Sequence, residues 1–533
     1  MRHSPHPWLC AALLAAGCPA ARKGVSGDRP ATAAVYRPTR ALSARYGQVQ
    51  PVELEGVAGR VVASLARAAE AMGHLPPRPD RAAQLAAREI GLALPPSGPP
   101  PSVLVEFALR SFGIVDPPPH MVIANLPRGL EREVLDQLDI RFRQILKDKP
   151  FSRVGVALVE PRDTPGRRRV LVALLENRVD LEPTPRRLRR GQAIQLRFRT
   201  APSHHSIRLV VTAPDGTIAD PPLSQNGGRL AARLECSRRG IYQVEVTGEG
   251  QHGPEVLANF PIFCDQDPPR EVRYGSIRPL TDKVELLEQE LFEGTNRARR
   301  KRGLPALKES SSLAEVARRH SKDMRDNGFV GHVSPTTGRP IDRVRTAGIP
   351  HLVVRENVAQ AYSTDEALRE LLNSPAHRQN ILGRDVTEMG VGVVVDRRAS
   401  TAVMLVTQLF LKPAKPYDAA TAPLEVLRSL RRARQKVGLP PLRSDPRLGK
   451  LAADHVRLLI AGERSEADRK LAAALRRLGG RFRRVDGLHV RLGAIEALER
   501  AEEIARARYS HVGIGVGRDR EQVVIFLLLA GKK

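Results

Sequence analysis

The stretch Ser374-Pro375-Ala376-His377-Arg378-Gln379-Asn380-Ile381-Leu382 decides how the middle of this 533-residue chain folds. Serine followed by proline reads as an N-cap and N1 pair. The hydroxyl satisfies a free backbone N–H, and the fixed φ of proline suits the first turn. His377 then falls at N3, where the helix dipole disfavours the imidazolium form and leaves a ring able to coordinate a metal. Toward the N-terminus, Thr364 or Asp365 starts a helix through Leu368, Leu371 and Leu372. Before it, Ser310 or Ser311 caps a helix whose apolar face holds Leu313, Val316, Ala317, His320 and Met324, and Asn327-Gly328 stops it. Toward the C-terminus, Met389 to Val395 and Val403 to Phe410 read as two strands joined by a polar turn.

Two more motifs lie inside this frame: Gly331-His332-Val333-Ser334-Pro335 and Arg355-Glu356-Asn357-Val358-Ala359. They follow Asn296-Arg297 and precede Gly390-Val391-Gly392 and Thr407-Gln408-Leu409-Phe410. In this order the segment 281–412 resembles the CAP (SCP/PR-1-like) family of the bacterial type, over about a quarter of the chain. The resemblance implies an α-β-α sandwich with a central cleft, where two histidines and acidic partners can hold a divalent metal, often zinc. Carried over by motif, the cleft residues are His332, Glu356 and His377. Many animal and plant relatives place a second glutamate on the helix before the second histidine; Leu371-Leu372-Asn373-Ser374 has none.

The residue types support that chemistry independently. Two neutral imidazoles and one carboxylate suit Zn2+ or another divalent cation and leave a position open for water or a ligand. Glu356 is either a ligand or the group that fixes a histidine tautomer. The competing reading is a buried hydrogen-bonded network of His332, Glu356 and His377 with a purely structural role. His320 lies on an apolar helix face and reads as a core residue. Arg343 and Gln408 match family positions and read as structural, and Asn357 as a backbone anchor.

The layout recurs. Asn296 to Arg299 and Gly303-Leu304-Pro305-Ala306-Leu307 are echoed, at one offset, by Arg431 to Arg434 and Gly438-Leu439-Pro440-Pro441-Leu442. Leu313, Ala317 and His320 are matched by Leu448, Ala452 and His455, and Gly390-Val391-Gly392 by Gly513-Ile514-Gly515. Segment 418–531 therefore reads as a degenerate CAP-like repeat without the cleft motifs. Segment 51–183 is an α/β domain with a fainter version of the pattern, in which Val154 to Ala157 and Arg169 to Glu176 stand for the closing hairpin. Between them, 184–270 alternates apolar and polar residues with turns at Pro214-Asp215-Gly216 and Gly227-Gly228, as in an immunoglobulin-like β-sandwich serving as a spacer or adhesion module. The fold class is α/β, multidomain.

Arg2, the apolar run Trp8 to Ala16 and Ala15-Ala16-Gly17-Cys18 read as a removable signal over 1–20, of a lipoprotein type with Cys18 acylated. Residues 21–50 read as a linker. The remaining cysteines, Cys236 and Cys264, suit one disulfide in an exported chain. The expected location is the cell envelope or the medium.

Lysine and arginine number 86 against 58 acidic residues, a net charge of +28. That surplus reads as arginine spread over solvated positions along the chain, or as fitting an anionic wall polymer or lipid surface. Aromatic residues make up only 4%, and no nucleic-acid motif occurs, so a base-stacking platform and nucleic-acid binding are not expected. The function expected is a non-enzymatic binding or scaffold protein of the envelope, and the alternative is a metal-dependent, peptidase-like hydrolase with Glu356 as general base. No nucleophile–base pair and no His-Glu-x-x-His helix supports the second.

Overall fold

A computed structural model describes residues 11–13, 34–95, 98–147, 150–160, 166–398, 401–414, 417–478, 482–492, 495, 498, 509–519 and 522–532. In the central segment the sheet runs in the order Lys308–Glu309, Glu388–Asp396, Val403–Pro413, His351–Ala361. The Val403–Pro413 strand is buried from Val403 to Leu411, which is why it reads as an unbroken apolar run. Its alternate residues serve two layers. Met404, Val406 and Phe410 pack against Leu287 and Leu291 of the Val284–Arg300 helix and Leu368 and Leu371 of the Thr364–Asn373 helix. Leu409 and Leu411 pack against Leu313, Val316 and Ala317 of the Ser311–Asn327 helix. The segment is thus helix, sheet, helix in three layers.

The Gly390-Val391-Gly392 motif has a steric reason. A Cβ at Gly390 would lie 2.3 Å from the backbone N of Ala314, and one at Gly392 would lie 2.1 Å from that of Arg318. Only glycine lets the Ser311–Asn327 helix approach the strand so closely. Gly328 ends that helix at φ 69°, the left-handed conformation that Asn327-Gly328 predicts. Ser363 caps the Thr364–Asn373 helix by accepting from the N–H of Glu366, one residue ahead of the predicted start.

The same strand order appears twice more. The C-terminal sheet runs Arg443–Ser444, His511–Asp519, Gln522–Lys532, Phe482–Leu492. The N-terminal sheet runs Arg78–Pro79, Arg153–Val159, Arg169–Leu175, His120–Asn125, with Ala11–Leu13 added parallel at the outer edge. Glycines again sit where a helix meets the sheet: a Cβ at Gly513 would lie 2.2 Å from Leu448 C, and one at Gly155 2.2 Å from Ala83 C. Arg299 and Arg434 are buried, each donating from Nε to a proline carbonyl six residues on, Pro305 at 2.9 Å and Pro440 at 2.8 Å.

Between the N-terminal and central units, two sheets share one core that includes Leu196, Phe198, Val244, Val246 and Phe260. Cys236 and Cys264 are joined by a disulfide here. Two boundaries differ from the sequence reading. Val179–Leu181, assigned there to the preceding domain, pairs with Phe198 to Thr200 and buries Val179 and Leu181 in this core. Residues 34–50 do not behave as a linker. Ala34–Tyr36 pairs with Val272–Tyr274, and Tyr46 is fully buried beside Phe260 with its hydroxyl on the carbonyl of Pro261 at 2.8 Å. Two large aromatic side chains outweigh the polar, proline-containing surroundings that suggested a linker. Cys18 and the rest of the proposed signal, apart from residues 11–13, lie outside the described residues. Among the described residues, no helix is long and apolar enough to cross a membrane.

Candidate functional site

His332 stands in the loop after the Ser311–Asn327 helix, Glu356 on the edge strand His351–Ala361, and His377 in the short helix Pro375–Ile381. The structure brings all three together. His332 donates from Nδ1 to Oε1 of Glu356 at 2.9 Å, since a carboxylate accepts only, and in the neutral tautomer this selects, the lone pair is on Nε2. The other oxygen of Glu356 accepts from Nη2 of Arg343 at 2.5 Å. Burial alone would push the Glu356 carboxyl up, but the His332 hydrogen bond and the Arg343 charge together hold it below the ordinary carboxylate range.

Arg343 also donates to the carbonyls of His332 (3.1 Å) and Gly338 (2.6 Å), fixing the loop that carries the histidine. Ser334 accepts from the N–H groups of Thr336 and Thr337, which explains the serine in the Gly-His-Val-Ser-Pro motif. On the other side, Asn357 donates to the His377 carbonyl at 3.3 Å and to Gln408 at 3.2 Å, and Asn380 donates back to Asn357 at 2.9 Å. These amides lock the Pro375–Ile381 helix to the strand. His320 is buried, with Nε2 on the carbonyl of Gly331 at 2.9 Å.

Ser374 is the N-cap of the Pro375–Ile381 helix, and its hydroxyl lies 2.7 Å from Nδ1 of His377. Burial, with the neighbouring His332 adding to it, pushes the His377 ring down to about 3, so it is neutral at physiological pH. The His332 and His377 rings are 6.4 Å apart, centre to centre. Both belong to the wall of a cavity of about 860 Å³ that also takes in Arg110 and His120 of the N-terminal unit, His252 of the two-sheet unit and Gln360. Glu356 does not line it.

The donor set can be tested against a metal. Two imidazoles on one tetrahedral ion with bonds of about 2.1 Å would have ring centres about 5 Å apart. The 6.4 Å separation therefore needs a side-chain adjustment of about 1 Å. Among the described residues, no group of three or more His, Cys, Asp or Glu is placed to hold an ion. The arrangement fits two imidazole ligands with open positions and does not fit a closed four-ligand cage. Glu356, expected as a ligand or a tautomer-fixing partner, is engaged on both oxygens with His332 and Arg343.

Sequence reading missed two residues, both from the two-sheet unit. His252, in the turn between Gly240–Gly250 and Gly253–Cys264, accepts at its carbonyl from the N–H groups of His332 (2.8 Å) and Val333 (2.9 Å), and its ring stacks on Phe329. Glu245 accepts from the N–H of Ala376 at 3.0 Å and, at 3.4 Å, from the Asn259 amide. Alternation along the strand marks Glu245 as outward-facing. No signal in the sequence says that the outward face is covered by another domain.

A three-layer α-β-α unit carrying a histidine pair beside its edge strand defines the class to which the central segment belongs. Residues 292–410 match the model of CAP, the cysteine-rich secretory protein family, and this segment is a CAP domain of the bacterial SCP type. The chain is 38% identical over 155 residues to the uncharacterized protein YkwD of Bacillus subtilis, covering 29% of this chain and 60% of that protein. It is 38% identical over 115 residues to the uncharacterized membrane protein YlbC of the same organism, covering 21% of this chain and 33% of that one. The match therefore spans less than two thirds of either relative. Among solved structures, an extracellular protein containing a SCP domain from Bacillus anthracis shares 28% identity over 33% of this chain and 65% of its own, with a TM-score of 0.23.

Proposed function

We propose that the chain is an exported cell-envelope binding protein whose CAP cleft holds a divalent cation, zinc or a similar ion, through Nε2 of His332 and of His377. The observation that carries this reading is the pinning of His332 Nδ1 by Glu356, beside a half-buried, neutral His377, with both rings on one cavity wall. Carboxylate–histidine pairs of this kind fix the tautomer and raise the basicity of a metal ligand. The ion would supply a Lewis-acidic point for an oxygen or nitrogen group of a ligand. A cavity of about 860 Å³ favours a small molecule or one residue of a polymer over an extended chain.

Hydrolysis is the weaker reading. Its general base would be Glu356, and that carboxylate is occupied by His332 and Arg343 and stands off the cavity. The flanking units with the same strand order are read as degenerate CAP-like repeats, and the two-sheet unit as an immunoglobulin-like module. Export with lipid attachment through Cys18, and contact with an anionic polymer or lipid surface suited to the +28 charge, complete the proposal.

The test is calorimetric titration of zinc into the full chain and its H332A/H377A variant. The expected result is about one zinc per chain in the parent and none in a variant of unchanged circular dichroism. A parent that takes up no zinc, or a variant that binds equally, overturns the reading.

A further inference from the structure

We infer that the hairpin tip Gln251-His252 of the two-sheet unit is a positioning element of the CAP cleft: it holds the backbone of the loop that carries His332. What the cleft binds rests on the histidine-pair reading above; the positioning itself does not, and its first readout needs no metal.

The strands Gly240–Gly250 and Gly253–Cys264 close with Gly250 opposite Gly253, so Gln251 and His252 form a two-residue turn. That turn is pressed into the CAP loop. A Cβ at Gly253 would lie 3.0 Å from Cγ2 of Val333 and 3.3 Å from Cβ of His332. One at Gly331 would lie 2.5 Å from Cβ of His252 and 2.8 Å from its carbonyl oxygen. The His252 ring stacks on Phe329 at 4.8 Å between centres, and Phe329 is packed with Met324 and Leu405 of the CAP core.

The backbone bonds of the loop come from two sources. The CAP domain supplies His320, whose Nε2 lies 2.9 Å from the Gly331 carbonyl, and Arg343, which donates to the His332 carbonyl at 3.1 Å. The tip supplies the rest of the printed partners. The His252 carbonyl accepts from the N–H groups of His332 at 2.8 Å and Val333 at 2.9 Å. Nδ1 of His252 lies 3.2 Å from the Val333 carbonyl, and a carbonyl accepts only, so Nδ1 donates. Backbone donors in a half-buried loop require acceptors, and for His332 and Val333 the acceptor belongs to another unit. His252 also lines the cavity that His332 and His377 line. A ligand that fixes His332 therefore favours the docked tip, and the docked tip favours the ligand by the same factor.

The test uses the full chain and the G331A, H252A and R302A variants. Two readouts are taken: amide hydrogen exchange at His332 and Val333 in the metal-free protein, and the zinc dissociation constant. G331A drives a methyl group against His252 and should lift the tip from the loop. Exchange at both amides should quicken about 5–10-fold, the loss of a net hydrogen bond, and zinc should weaken about 10–100-fold. H252A keeps the carbonyl and loses the ring bond and the stack, so both readouts should move the same way by less. R302A breaks a different bond between the same two units, Arg302 Nη1 to the Asp215 carbonyl at 3.0 Å, and should change neither. Unchanged exchange in G331A, or equal losses in R302A, overturn the inference. If G331A loses its circular dichroism, H252A against R302A decides it by the same criterion. A parent with the expected exchange pattern but no zinc binding would sink the metal reading and leave the positioning role standing.

Discussion

Replacing Arg343 by methionine should expose how the cleft is held together. The side chains of Glu356 and Arg343 are 2% and 4% exposed, so the pair sits out of water. Removing one partner of a buried pair typically costs about 3–5 kcal/mol, because the other charge stays behind. R343M also frees the carbonyls of His332 and Gly338, which places it at the upper end of that range, about 4–5 kcal/mol. E356Q leaves Arg343 with those two carbonyls and should cost less, about 2–3 kcal/mol. The double variant buries no charge and should cost about 2 kcal/mol less than the sum of the singles.

For a domain of this size, the R343M loss lowers the CAP transition by about 15 °C. Differential scanning calorimetry of the full chain at pH 7 reads it. The folded carboxyl lies below its ordinary 4.5, so its contribution is present above about pH 4.5 and fades as pH falls through the folded value. The gap between parent and R343M should therefore narrow on acidification. A loss under about 1 kcal/mol for R343M, or additive losses in the double variant, would refute the claim that Arg343 neutralises Glu356.

Four other predictions concern stability. His377 is pushed down to about 3 from 6.5, so the unfolded chain binds its proton more tightly; stability should rise with pH across that window, and H377Q should flatten a melting series taken from pH 4 to 8. Glu245 acts in the opposite sense, raised by burial to about 7 from 4.5, so stability should fall as pH climbs between those values, and E245Q should remove that slope. G390A, G392A, G513A and G155A should each cost about 1–3 kcal/mol by forcing a helix off its strand, read by urea denaturation. C236A/C264A opens a loop with a separation of 28 residues and should cost about 3.5 kcal/mol on chain-entropy grounds, read as a lower melting temperature of the two-sheet unit.

The sequence carried the CAP segment almost in full, because its motifs are local. Ser-Pro sets a helix start and Asn-Gly a helix stop, and both consequences are read within a few residues, whereas the reason for Gly-Val-Gly, a helix about 70 residues earlier pressed on the strand, is not. The meeting of His332, Glu356 and His377 was legible only through the family resemblance, since 45 positions separate the two histidines. The role of Glu356 was half legible: its partner Arg343 was noticed, but which oxygen faces which group depends on the loop fold. Glu245, His252, Tyr36 and Tyr46 were not legible as they act. Each looks like an ordinary outward, turn or linker residue until a second unit covers it, and a one-dimensional pattern does not encode that covering.

The most direct test of the central claim is anomalous diffraction at the zinc edge from crystals of the full chain grown with zinc. The account predicts one strong peak within about 2.1 Å of Nε2 of both His332 and His377, with Glu356 still bonded to Arg343. No peak between the two rings, or a peak coordinated by Glu356 after it has left Arg343, would contradict it.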